Sequence, residues 1–244
     1  MVKKLSFIVL VLLFFSCKKA EDKTCFKSYG DPAAIEIPLD SVSEFRLYKN
    51  ITYHVYQDTM RKLIVKGGEN MIKHVLVEND SSILSITNEN NCNFLRDFDK
   101  KTIVEIHYPF YSKIYSEAND SLIFMNTIVA DLLYIEQAQG GAGVRIDVDV
   151  NHIVMLASLG VANFVISGST NYADLRVQTN ASGDARNLVA NHYLVYNNST
   201  GDIYVDLDSA DAGVTIKGTG NVIYSGTPDS LNLVKTGDGD LIKE

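Results

Sequence analysis

Residues 201–242 read GDIYVDLDSADAGVTIKGTGNVIYSGTPDSLNLVKTGDGDLI and contain one short pattern three times. In each copy a glycine precedes an acidic or amide residue, which opens a run of β-branched, aromatic or aliphatic residues; the openers are Asp202, Asn221 and Asp240. The pattern continues upstream at Asp184 and Asn163, so that the steps between successive openers are 21, 18, 19 and 19. We expect a tight turn at each glycine before an opener, with the positive φ that glycine adopts readily: Gly183, Gly201, Gly220 and Gly239.

A second series of apolar runs lies beside the first. Its steps are 20, 22, 18, 21 and 17, between runs that begin at Leu133, Ile153, Leu175, Tyr193, Val214 and Leu231. Two strand-like runs in each unit of about 20 residues predict an all-β fold built as a β-solenoid. Inward positions of such a stack should form one column, for which we select Ile135, Val177, Val195 and Leu233.

The N-terminal segment, 1–17, has the pattern of an export signal. Lys3 and Lys4 precede an apolar run from Leu5 to Phe15, and Ser16 places a small residue before Cys17. This resembles a bacterial lipoprotein signal, which predicts a signal peptide over 1–16 and lipidation of Cys17. An ordinary secretory signal is the alternative. The run is too short for a permanent membrane-spanning helix, so we expect membrane contact through the lipid alone.

The remaining chain divides by composition. Residues 17–32 are polar and without periodicity, which predicts a flexible tether. Residues 33–118 contain irregularly spaced strand patterns and form a strand-rich N-terminal part, and residues 119–244 form the parallel coils. Cys25 lies in the tether and Cys92 in an asparagine-rich segment. These two could form a disulfide in an oxidising compartment or remain unpaired, since two cysteines fix connectivity but not proximity.

Several segments carry a resemblance to a known family. They are Phe45-Arg46-Leu47, residues 51–57, residues 65–78, Leu84-Ser85-Ile86, residues 104–109 and residues 223–228. Together with the lipoprotein-type leader and the glycine turns, they resemble the auto-transporter adhesin family with a head GIN domain, over nearly the whole mature chain. The resemblance implies a right-handed parallel β-helix, related in shape to pectate lyases, in an exported protein of the Gram-negative cell envelope. No catalytic residues define that family, so none is carried over.

One set of polar residues repeats with a spacing of 20. Asn151, Asn171 and Asn191 share this spacing, and His152 and His192 follow the first and third of them. The histidines could be zinc ligands, but they would lie two coils apart, at about 9–10 Å. Zinc requires imidazole nitrogens at about 2.1 Å. We therefore favour a ladder of buried, stacked asparagine amides over a metal site.

Acidic residues also occur in pairs. Asp147 and Asp149 share one strand face, as do Asp206 and Asp208. Such carboxylates could bind calcium or perform acid–base chemistry, but the two pairs lie three coils apart, and a solvated acidic face is the preferred interpretation. No catalytic motif for serine hydrolysis, zinc proteolysis or phosphate binding occurs in the sequence.

These observations leave three classes of function. The chain carries a net charge of −8, which disfavours nucleic acid as a partner. We predict a lipid-anchored, adhesin-like binding module of the cell envelope, at the outer membrane and facing the periplasm or the cell surface, with a glycan or protein ligand. A structural envelope protein and a polysaccharide-active β-helix enzyme are the alternatives. The sequence predicts no cofactor and does not specify an oligomeric state.

Overall fold

The computed structural model describes residues 28–90, 100–141 and 143–244. In these ranges the chain forms a single hydrogen-bonded sheet of 18 strands and one short helix, α1 (Glu69–Ile72). The strands are β1 (Pro32–Pro38), β2 (Glu44–Lys49), β3 (Thr52–Gln57), β4 (Lys62–Gly68), β5 (Val75–Asp80), β6 (Ile83–Asn88), β7 (Ile103–Tyr108), β8 (Lys113–Ala118), β9 (Leu122–Phe124), β10 (Ile128–Gln137), β11 (Gly143–Ala157), β12 (Asn163–Thr179), β13 (Ser182–Ser199), β14 (Ile203–Asp206), β15 (Asp211–Ile216), β16 (Val222–Ser225), β17 (Ser230–Lys235) and β18 (Leu241–Lys243).

Parallel pairing stacks the strands into a solenoid with two long sides. The first side joins β2, β8, β10, β11, β12, β13, β15 and β17 in that order. The second side joins β3, β9, β11, β12, β13, β14, β16 and β18. Strands β11, β12 and β13 are long enough to contribute to both sides. The prediction of an all-β, parallel β-solenoid is confirmed.

Alternating side chains build the core between the two sides. Along the first side, Ile135 stacks on Met155, Leu175, Val195 and Val214, and each of these residues is at most 2 % exposed. This alternation follows from the period of two in a strand, which places every second residue inside.

The predicted inward column was wrong at one position. Val177 stacks between Ala157 and Asn197, two residues further along the strand than Ile135 and Val195. Leu233 belongs to the Ile135 column but is 42 % exposed, because β17 pairs only with β15 and ends the described stack.

Glycines at one corner of the coils allow close approach of the backbone. The prediction of positive φ at Gly201, Gly220 and Gly239 was wrong, since none of them adopts it. Instead, each of these glycines lies against the backbone of the preceding coil. A Cβ added at Gly201 would lie 2.4 Å from the Ala181 carbonyl oxygen, and one added at Gly220 or Gly239 would lie 2.0 Å from the carbonyl oxygen of Gly201 or Gly220. A side chain at this corner would therefore collide with the preceding coil.

Gly183 is a different case, and the predicted repeat register was wrong there. Gly183 pairs with Ile203 and Asp184 with Tyr204, so Asp184 lies two residues beyond the position that Asp202 occupies in its coil. Ser182 holds that position and pairs with Asn163. Gly183 also lacks a positive φ, and it faces the core, where a Cβ would lie 2.1 Å from Phe164 Cζ.

The N-terminal strands belong to the same stack, although their order in space differs from their order in sequence. Strand β2 pairs in parallel with both β6 and β8, and β3 pairs in parallel with both β7 and β9. The layer containing β2 and β3 thus lies between one built by β6 and β7 and one built by β8 and β9. Antiparallel strands β1, β4 and β5 extend the stack at this end. Parallel pairing begins well before residue 119.

No helix within the described ranges has the length and apolar character needed to cross a membrane.

Candidate functional site

The outward side of the first sheet carries a series of partly exposed tyrosines. Tyr48, Tyr115, Tyr134 and Tyr196 project from β2, β8, β10 and β13, and all four have intermediate exposure. We call this surface the tyrosine face. Because neighbouring strands lie about 4.8 Å apart, residues from segments distant in sequence become neighbours on it. The tyrosine face contains two depressions.

The first depression, of about 350 Å³, lies over β2, β8 and β10. Its lining residues are Glu44, Arg46, Tyr48, Lys113, Tyr115 and Glu136. Glu44 accepts hydrogen bonds from Arg46 Nε at 2.7 Å and Lys113 Nζ at 2.9 Å. Burial acts to raise the pKa of the Glu44 carboxyl, but the two hydrogen bonds outweigh it and the pKa lies below its ordinary value. Glu44 is therefore a charged, fixed anchor for two cations.

Two tyrosine hydroxyls in this region are paired with carboxylates two residues further along the same strand. Tyr115 donates to Glu117 Oε1 at 2.5 Å, and Tyr134 donates to Glu136 Oε2 at 3.2 Å. The hydrogen bond to Glu117 raises the pKa of Tyr115 to about 12. Burial, followed by the charge of Glu136, raises the pKa of Tyr134. Both rings thus stay neutral and are held in fixed orientations.

The second depression, of about 390 Å³, lies over β12, β13, β15 and β17. Its polar lining includes Asp174, Arg176, Thr215 and Asn232, and its apolar lining includes Leu194 and Val234 beside the ring of Tyr196. Arg176 donates from Nε to Asp174 Oδ1 at 2.7 Å and from Nη2 to Asp174 Oδ2 at 2.5 Å. This bidentate pair leaves Asp174 only 7 % exposed. The lining therefore contains fixed polar groups without a net charge.

The predicted asparagine residues lie in successive coils and contact one another. Asn171 Nδ2 donates to Asn151 Oδ1 at 3.4 Å, and Asn191 Nδ2 donates to Asn171 Oδ1 at 3.0 Å. The series continues to Asp131, which accepts from Asn151 Nδ2 at 3.0 Å. The expectation that these amides are buried was wrong, because Asn151 and Asn191 are exposed and Asn171 is half-buried. They lie at a corner where their side chains point to solvent.

The two histidines are separated by an aromatic ring. Tyr172 lies between them, with ring centroids 5.9 Å from His152 and 4.5 Å from His192. His192 Nδ1 also lies 3.5 Å from Asp211 Oδ2. Among the residues that the structure describes, no group of three or more metal-ligating side chains comes together. Stacking between coils explains the positions of these rings.

The paired aspartates accept hydrogen bonds from neighbouring coils. Asp147 accepts from Thr127 Oγ1 at 2.6 Å and Ser167 Oγ at 2.7 Å, and Asp149 accepts from Ser169 Oγ at 3.2 Å. Oδ1 of Asp206 accepts from Ser225 Oγ at 3.1 Å, and Oδ1 of Asp208 accepts from the backbone N–H of Thr227 at 3.0 Å. Each carboxylate thus joins one coil to the next.

The lipidation and disulfide predictions involve Cys17, Cys25 and Cys92, which lie outside the described residues. Sequence reasoning missed the tyrosine face altogether. One signal for it was available: a tyrosine followed by glutamate two residues later occurs at 115–117 and again at 134–136. In a strand this spacing places both side chains on the same side.

Fold and surface together define a parallel β-solenoid with two depressions on the outward side of its first sheet. The chain belongs to the family described as "Putative auto-transporter adhesin, head GIN domain", whose model matches residues 43–228. No curated protein matches the chain.

Solved structures share the fold. A crystal structure named "putative adhesin" from Bacteroides fragilis has a TM-score of 0.78 and 19% identity, covering 88% of this chain and 97% of its own. A "putative adhesin" from Parabacteroides merdae has a TM-score of 0.68 and 17% identity, with the same coverage. A "Putative lipid binding protein" from Parabacteroides distasonis has a TM-score of 0.58 and 14% identity, again covering 88% and 97%. At these identities the similarity establishes the fold alone.

Proposed function

We propose that this protein is an exported, lipid-anchored binding module of the bacterial envelope, of adhesin type, and that the tyrosine face is its ligand-binding surface. The observation that carries the proposal is the presence of two depressions on one sheet, each lined by a tyrosine ring and by an ion pair held in place. Half-exposed aromatic rings and oriented polar groups are the usual components of binding sites.

Family membership and the N-terminal pattern support the cellular context. The family carries the name of an adhesin. The Lys3, Lys4 and Cys17 pattern is typical of a lipoprotein signal, which would place the domain outside the cytoplasm on a lipid anchor. The predicted tether over residues 17–32 would be shorter, because Tyr29 and Asp31 already bond to the folded chain, and the part before them would hold the solenoid away from the bilayer. The ligand would then be a molecule of the envelope, of a neighbouring cell or of the surrounding matrix.

The polysaccharide-active enzyme is the weaker alternative for the described residues. The carboxylates proposed for it, such as Asp147 and Asp149, already accept hydrogen bonds from hydroxyls of adjacent coils. A glycosidase needs two carboxyl groups facing one cleft, with one of them able to hold a proton. The structural alternative predicts no soluble ligand and is separated from adhesion by a binding test.

The test is an array of glycans, matrix proteins and lipids probed with the chain lacking residues 1–17, which retains every described residue. Lipids belong on the array because one structural neighbour is named for lipid binding. We expect at least one ligand, and its binding should weaken about tenfold or more when Tyr196 is replaced by alanine.

Tyr204 provides the matched control. It is also half-buried, also lies near a cationic side chain, Arg186, and projects from the second sheet instead of the first. Tyr204→Ala should leave binding unchanged. Absence of any ligand would favour a structural envelope role. An equal loss of binding in Tyr196→Ala and Tyr204→Ala would show that the tyrosine face is not the binding surface.

A further inference from the structure

Gly213 creates the second depression of the tyrosine face. It lies in β15 between Leu194 of β13 and Asn232 of β17, at a position whose side chains point outward. With no side chain at Gly213, the backbones of β13 and β17 lie about 10 Å apart, twice the strand spacing, with no side chain rising from the strand between them. The ring of Tyr196 and the side chain of Thr215 lie along one edge of the gap.

The fold does not require glycine at this position. Gly213 does not adopt a positive φ. A Cβ atom here would meet only Leu194 Cδ2 at 3.3 Å and the Tyr193 carbonyl oxygen at 3.9 Å. Leu194 is 60 % exposed and can move aside. Gly220, by contrast, would place its Cβ 2.0 Å from a carbonyl oxygen.

Glycine inside a strand ordinarily weakens the sheet, because it has more backbone freedom to lose and no side chain to pack. A glycine inside a strand often marks a bulge, a tight bend or a site where a ligand or another backbone approaches closely, and the register of β15 runs through Gly213 without a shift. The volume of about 390 Å³ is at the lower end of the range for small-ligand sites.

The lining selects for an uncharged ligand. Asp174 and Arg176 neutralise each other through two hydrogen bonds. Arg176 uses only two of its five N–H groups in this pair, so its guanidinium can donate further. Asn232 adds an amide and Thr215 a hydroxyl, both near the opening.

Apolar groups lie next to these polar ones. Leu194 and Val234 are 60 % and 48 % exposed, and Tyr196 presents an aromatic ring that Lys217 contacts at 5.5 Å from the centroid. A site with an apolar platform and a neutral set of donors and acceptors suits a ring that has one apolar face and an edge of hydroxyl groups. A pyranose has this chemistry.

We propose that the Gly213 depression is a binding subsite for a pyranose residue of a neutral glycan. This inference rests on the proposed function, for which it names the class of ligand. From Asp174 to Asn232 the depression spans three strand steps, or about 14 Å, which suits a short oligosaccharide. A peptide strand could not pair with β15 beneath the depression, because β15 is already paired on both edges. An acidic polymer would meet a neutral lining with one cationic side chain at its edge, Lys217 over the Tyr196 ring, on a chain of net charge −8.

The test uses calorimetric titration of neutral oligosaccharides of glucose, galactose, mannose and N-acetylglucosamine, each against the chain without residues 1–17. Wild-type protein should bind at least one of them. Gly213→Val fills the depression with a residue that strands favour and should weaken binding about tenfold or more. Tyr196→Ala should do the same, and Tyr204→Ala should have no effect. Circular dichroism and the denaturant midpoint of each variant report whether it is folded.

The outcomes separate this inference from the proposed function. Binding of a neutral oligosaccharide that Gly213→Val does not weaken would overturn the subsite, even if adhesion to that glycan stands. Absence of binding by all neutral oligosaccharides, with a protein, lipid or acidic glycan bound on the array, would overturn the subsite and leave the binding module intact. Absence of every ligand in both experiments would overturn both.

Discussion

Replacement of Gly183 by alanine should destabilise the solenoid strongly. The added Cβ would lie 2.1, 2.5 and 2.7 Å from three atoms of the Phe164 ring, far inside the contact distance of about 3.5–4.0 Å between carbon atoms. Phe164 is fully buried, so its ring cannot move into solvent. Because overpacking of a core costs about 1–3 kcal/mol, and three atoms collide here, we expect a loss of about 2–3 kcal/mol of unfolding free energy.

Equilibrium denaturation measures this loss, and Gly213→Ala is the matched control. Both glycines lie in strands, but a Cβ at Gly213 would meet an exposed leucine at 3.3 Å and a carbonyl oxygen at an ordinary contact distance of 3.9 Å. The control should be neutral or up to about 1 kcal/mol more stable. Phe164→Leu should relieve part of the cost of Gly183→Ala in the double variant, with a coupling of about 0.5–3 kcal/mol. Equal midpoints for the two alanine variants would refute the assignment of Gly183 to core contact.

Three further predictions address other parts of the chain. Asn151→Ala and Asn171→Ala each break two hydrogen bonds of the exposed ladder and should each lower the unfolding free energy by about 0.5–1 kcal/mol. Asn191→Ala breaks one and should lower it less. Equal denaturant midpoints for the three variants would contradict a stabilising ladder. Burial raises the pKa of three tyrosines whose side chains lie in the core, so the stability they contribute is present below about pH 10 and lost as the pH rises further. They are Tyr53, Tyr111 and Tyr193, three of the 13 tyrosines, and in an ultraviolet titration they should ionise only as the chain unfolds. Their ionisation in folded protein would contradict this prediction. A palmitate analogue should label the wild-type protein in cells and not Cys17→Ala, and label that persists in the variant would contradict lipidation at this residue.

Periodicity was sufficient to predict the class of fold but not the packing role of each glycine. A glycine before an aspartate or asparagine can precede a turn through positive φ or allow two backbones to approach closely, and the two cases have the same local sequence. Gly201 and Gly220 prove to be of the second kind. The same ambiguity produced the wrong register at Asp184, where Ser182 holds the equivalent position.

The order of the N-terminal layers could not be predicted, because it depends on pairing between distant segments. Glu44 pairs with Ile83 on one side and with Lys113, which lies still further along the chain, on the other. The first depression of the tyrosine face is assembled from such segments. The second depression depends on Gly213. The sequence around Gly213 is that of an ordinary strand, and the gap above it exists only because Leu194 and Asn232 flank it from the adjacent coils.

The most direct test of the tyrosine face uses the absence of tryptophan from the chain. Tyr196→Trp and Tyr204→Trp each introduce a single fluorescent reporter, one on the tyrosine face and one on the second sheet. On titration with the ligand found on the array, emission should change in the Tyr196→Trp variant and stay constant in the Tyr204→Trp variant, while calorimetry shows that the Tyr204→Trp variant still binds the ligand. A change confined to the Tyr204→Trp variant would contradict the tyrosine face as the binding surface.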